Sequence, residues 1–87
     1  MKTEEYIIIL VGYAPDHKEI SITYNAKGPV VARIEDHEGA ISGETEPLPA
    51  GLKQICSLPA SGWNSGSYTC HLVLDGKIMD SKPFDIE

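Results

Sequence analysis

The sequence predicts an all-β fold, a two-sheet sandwich of about seven short antiparallel strands. Three observations carry this expectation. Apolar residues never hold helical spacing over a long segment, and short runs rich in Ile, Val, Thr and Tyr recur instead. Gly, Pro and Asn interrupt those runs about every ten residues, as turns do in sandwiches and barrels. That many short strands in 87 residues fit two packed sheets better than one closed barrel.

Residues 6–11 (YIIILV) show no alternation, so this strand is expected to be sheltered on both faces. Ala14, Pro15, Asp16 and His17 supply the chemistry of the first turn. Residues 18–24 alternate and point Ile20, Ile22 and Tyr24 inward. After a turn at residues 25–29, Val30, Ala32 and Ile34 alternate with Val31, Arg33 and Glu35 in a third strand. Residues 36–39 (DHEG) lead into a short strand around Ala40 and Ile41, because a glycine near the tip tolerates the positive φ of a hairpin. Residues 44–51 contain Pro47 and Pro49, cannot lie inside a sheet, and are expected to cross from one sheet to the other. A strand at 52–58, a loop at 59–66 and a strand at 67–74 follow, and Asp75-Gly76 is a preferred two-residue hairpin turn. The closing strand, 77–86, contains Pro83, which marks an edge or a bulge.

A chain of 87 residues has room for one core, so residues 1–87 are expected to form a single domain. A domain of that size buries only about 60 to 65% of its unfolded surface, which leaves a thin stability margin. The net charge is −6, with 13 acidic against 7 basic residues and no basic cluster. Such a surface repels a phosphate backbone and an anionic membrane, which argues against nucleic-acid partners and membrane docking. No apolar run approaches the roughly 18 residues of a spanning helix, so membrane insertion is not expected. The N-terminal segment MKTEEYIIILVGYA superficially resembles a signal peptide, but Glu4 and Glu5 stand where a basic region belongs. The apolar run therefore reads as a strand, and no leader is expected within this chain.

Tyr68 lies two positions before Cys70, which resembles the Tyr-x-Cys of immunoglobulin domains. The resemblance implies an immunoglobulin-like sandwich in which Tyr68 forms a structural corner, its hydroxyl bonded to backbone upstream. The strand at 18–24 lacks the partner cysteine, and the single tryptophan, Trp63, falls in a loop instead of on the third strand. The expectation is a sandwich of the same geometry without the immunoglobulin disulfide and tryptophan.

A second likeness covers residues 19–87. It runs through Ile20-x-Ile22, Val31-x-Arg33-Ile34-x-Asp36-x-x-Gly39, Leu58, Ser65-Gly66-x-Tyr68 and Leu72-x-Leu74-Asp75-Gly76-Lys77, with Phe84 and Ile86. This pattern resembles small extracytoplasmic β-sandwich domains of Bacteroidetes, both type IX secretion C-terminal sorting domains and secreted Bacteroides domains of unknown function. For the first family the resemblance implies a sorting signal read by a secretion machine. For the second it implies a stand-alone secreted domain. Either implies a secreted or periplasmic location.

Cys56 and Cys70 leave two alternatives open. A disulfide would close a loop of about 15 residues, worth roughly 3 kcal/mol; otherwise they are two buried thiols. They lack zinc-ligand spacing, and neither has the electropositive surroundings of a nucleophile. Asp36, His37 and Glu38 could contribute to a metal site but read as a solvated hairpin tip. His17 lies in a turn, and His71 has the opposite parity to Cys70, which disfavours a Cys-His pair. With no triad, phosphate loop or enclosed carboxylate pair visible, neither enzyme activity nor a cofactor or metal is expected.

Trp63, flanked by Gly62 and Asn64, is either a binding anchor or a cap closing the open end of the sandwich. Tyr13 and Tyr24 are expected near an end of the fold. These readings converge on a non-catalytic secreted or periplasmic module in adhesion, glycan handling or surface assembly, its partner an unidentified protein or glycan. One alternative is a structural domain that homodimerises through a sheet edge, using residues 6–11 or the last strand. Another is an intracellular regulatory or inhibitor domain with free thiols.

Overall fold

The computed structural model describes residues 5–87. Residues 1–4, including Glu4 before the apolar run, lie outside the described residues. Seven strands follow one another: β1 (Ile7–Ala14), β2 (Glu19–Ala26), β3 (Val31–Asp36), β4 (Ile41–Glu44), β5 (Gly51–Pro59), β6 (Gly66–Leu74) and β7 (Lys77–Ile86). They form two antiparallel sheets, one ordered β1-β2-β5 and the other β4-β3-β6-β7. This is the predicted all-β, immunoglobulin-like sandwich. Relative to the constant immunoglobulin arrangement, the fourth strand sits beside the third instead of in the first sheet.

Strict alternation builds the core. Ile20, Ile22 and Tyr24 from β2 meet Ala32 and Ile34 from β3, and Tyr68, Cys70 and Leu72 from β6, all buried. The remaining expected connections form as well. Residues 45–50 cross from the second sheet to the first, held by reciprocal Val30–Leu48 backbone bonds of 3.1 and 2.7 Å. Asp75 and Gly76 have φ of 51° and 81°, the paired positive values of a type I′ turn. Pro83 lies on β7, an edge strand.

β1 departs from expectation. It is not sheltered on both faces: Ile8 and Val11 are buried, but Leu10 is 63% exposed. A bulge between Ile8 and Leu10 shifts the pairing with β2. Both Ile8 and Val11 therefore reach the core, and the outer face is left open. The Ile8 N–H, which has no strand beside it, donates to Asp80 Oδ2 of β7 at 2.7 Å, tying the first sheet to the second along that side.

Candidate functional site

Cys56 and Cys70 sit on different sheets, on β5 and β6, and the structure holds both as free thiols. Cys70 is buried and Cys56 half-buried. Burial pushes the Cys70 thiol up to about 12, helped by Cys56 and then Asp80. Burial also raises the Cys56 thiol. Raised thiols are poor nucleophiles at neutral pH, which suits core packing. The chain changes sheet between β5 and β6, at residues 60–65, which places the pair on opposite layers of the sandwich.

Tyr68 forms the corner that the immunoglobulin resemblance implied. Its hydroxyl donates to the Asn64 carbonyl at 2.6 Å. Its ring stacks between Trp63 and Phe84, each with centroids 5.7 Å away. Trp63 is half-buried and packs on the core, so close to Gly43 that a Cβ there would lie 2.9 Å from Trp63 Cζ2. Of its two readings, this packing matches the cap. Tyr24 is buried and donates to the Pro49 carbonyl at 2.8 Å; burial first, and Cys56 second, raise its phenol.

The histidines do not converge. His71 stands on the outer face of β6, its Nδ1 2.6 Å from Ser81 Oγ and its Nε2 3.1 Å from Glu35 Oε1. Asp36 Oδ1 accepts the N–H groups of Glu38 and Ala40, so this carboxylate shapes the β3–β4 turn. His37 and Glu38 stand exposed at its tip, 3.6 Å apart. Among the described residues no three His, Cys, Asp or Glu side chains gather as a metal site would require.

Two surfaces remain as candidates. A groove of about 380 Å³ opens on the outer face of the second sheet, lined by Pro29, Val31, Pro47 and Val73 with the Arg33–Glu44 ion pair on its rim. The second is the outer face and free edge of the first sheet. Leu10, Thr23 and Ile55 stand in register across its three strands, with Ile55 71% and Leu52 77% exposed. The pairing surfaces expected from sequence are residues 6–11 or the last strand; β5 is not among them. There, Ile55 falls in plain alternation with Gln54 and Cys56, and only the strand order shows that β5 lies at an edge.

These features define an all-β sandwich in which Asp36, Tyr24 and Tyr68 spend their side-chain oxygens on the backbone. No family model and no curated protein matches the chain. Solved structures similar to it include the β-glucuronidase of Ruminococcus gnavus in apo form, at 22% identity over 94% of this chain, with a TM-score of 0.48. The same enzyme in complex with uronic isofagomine gives 23% identity over 94% of this chain, again with a TM-score of 0.48. The chain spans about 15% of the length of those enzymes.

Proposed function

We propose that the chain is a non-catalytic extracytoplasmic β-sandwich module that works by associating with a protein partner through its β1-β2-β5 sheet. One observation carries this reading: Ile9, Leu10, Leu52 and Ile55, four of the six exposed large apolar residues among the described residues, belong to that sheet. Grouped apolar exposure of this kind marks interaction surfaces. The groups that could do chemistry support a structural role, since the Asp36 carboxylate and the Tyr24 and Tyr68 hydroxyls are bonded to backbone and His71 lies between Glu35 and Ser81. The extracytoplasmic location rests on the likeness of the hairpin motifs to Bacteroidetes envelope domains.

The test is retention of envelope proteins from the native host by immobilised protein, compared with a Leu10→Ser/Ile55→Ser variant whose fold is checked by circular dichroism. A glycan array is run in parallel. Protein retained by the native face and released by the variant supports the reading; equal retention by both would sink it. A second reading is favoured by the two unpaired thiols, which suit a reducing compartment and an intracellular regulatory domain. Intact-mass analysis of alkylated protein from host fractions separates the two, because that reading requires a cytosolic chain with two alkylatable thiols.

A further inference from the structure

The two edges of the β1-β2-β5 sheet are finished differently. In an antiparallel ladder, alternate residues turn their N–H and C=O groups toward the partner strand and the others turn them away. Ala60 N donates to Lys18 O, continuing the β2–β5 register in which Ile20 faces Leu58 and Ile22 faces Cys56. The even-numbered residues of β5 therefore bond to β2, and Ile55, Ser57 and Pro59 direct their backbone outward. The same parity on β2 turns the Ile8 N–H of β1 outward, where Asp80 Oδ2 takes it. β1 is plugged, whereas β5 carries an Ile55-Ser57 window that is unpaired among the described residues. The window has fixed limits: Pro59 has no N–H, and Lys53, with a φ of 52°, spends its N–H on Asn25 Oδ1.

Charge points to what fits there. The protein carries −6, yet residues 51–59 (GLKQICSLP) contain none of its 13 acidic residues, and the strands of this sheet contain only Glu19. Two acidic molecules meet with least repulsion where neither presents carboxylates. A basic partner would be drawn to other faces.

We propose that the β5 edge pairs antiparallel with the same edge of a second copy, about a two-fold axis at Cys56, joining two three-stranded sheets into one of six strands. This rests on the association reading above and names its partner. In that register Ile55 exchanges two hydrogen bonds with Ser57 of the second copy, and symmetry gives two more. The next outward pair, Lys53 with Pro59, has no free N–H, which ends the ladder. The pairing is isologous, so it closes at two copies. The two Ile55 side chains become diagonal neighbours on the outer face, within reach of each other. The two Cys56 residues form a directly opposed, non-hydrogen-bonded pair, with Cα atoms about 4.5 Å apart, inside the disulfide range of about 4.4 to 6.8 Å.

Sedimentation velocity from micromolar to millimolar protein, with reductant present, is expected to show a reversible dimer. Ser57→Pro removes only an outward N–H, and Cys56 before it is already extended, so the monomer tolerates the change. Two lost interchain bonds should weaken the dimer about tenfold or more. Ile55→Glu, which sets two carboxylates diagonally, is a second route to the same loss. Without reductant, diamide should then yield a covalent dimer. As the S–S bond forms, the two Cys56 thiols give up two protons and two electrons, which reduce the azo bond of diamide to a hydrazine. The crosslink should vanish in Cys56→Ser and persist in Cys70→Ala.

A monomer at all concentrations, a dimer indifferent to Ser57→Pro, or oxidation that yields only an intramolecular Cys56–Cys70 bond would each overturn the proposal. A monomer that still retains a partner through Leu10 and Ile55 removes this pairing and leaves the association reading standing.

Discussion

Tyr68 concentrates several duties in one side chain: a ring stacked on both sides and a hydroxyl that fixes the loop four residues upstream. Tyr68→Phe keeps the stack and strands the Asn64 carbonyl, so unfolding in urea should show a loss of about 1 to 2 kcal/mol with an unchanged slope. Cys70 makes a different prediction. Its thiol is pushed from an ordinary 9.0 to about 12 by burial, so between these values the unfolded chain holds fewer protons than the folded one. Stability is full below pH 9 and should fall as pH rises toward 12. Tyr24, raised by burial and then by Cys56, acts in the same direction. Urea midpoints measured across that range should decline, and Cys70→Ala should flatten the decline. In the native protein an alkylating reagent should modify the half-buried Cys56 first and reach Cys70 only on unfolding.

At the level of elements, the hairpin from β3 to β4 is written by Asp36. Its Oδ1 accepts from Glu38 N at 2.9 Å and Ala40 N at 3.0 Å, its backbone bonds Gly39 and Ala40, and Gly39 takes a φ of 86°. Asp36→Ala should cost about 1 to 2 kcal/mol and raise amide exchange at residues 37–40 ahead of the rest of the chain. Short-range chemistry of this kind makes much of the fold readable from sequence. Asp36 with Gly39, Gly66 with Tyr68, and Asp75 with Gly76 are local devices, each legible within a few residues. Alternation in 18–24 and 30–35 fixed which side chains face inward. Two things escaped because they depend on strands far apart in the chain. The YIIILV run gives no sign of the bulge that leaves Leu10 outside, and nothing within residues 51–59 states that only β2 lies beside them. Since the candidate surface is an edge, it was the least readable part.

For the molecule as a whole, the sheets are closed by unlike means on their two sides. On one, Trp63 fills the space over Gly43 and Leu58, with a Leu58 methyl 3.2 Å from where a Gly43 Cβ would stand. Gly43→Ala should displace the indole, shift its fluorescence to the red and cost about 1 to 3 kcal/mol. On the other side β1 and β7 run in the same direction: Ile8 meets Asp80, and Tyr13 and Pro15 share a groove with Asp85 and Glu87. The start of β1 and the finish of β7 consequently lie toward opposite ends of a body 36 Å long. A pull applied at Ile7 and Ile86 would slide these two strands past one another along their length, loading the Asp80 bond and the packing around it together. A module that peeled apart would yield one contact at a time; this one resists tension in shear.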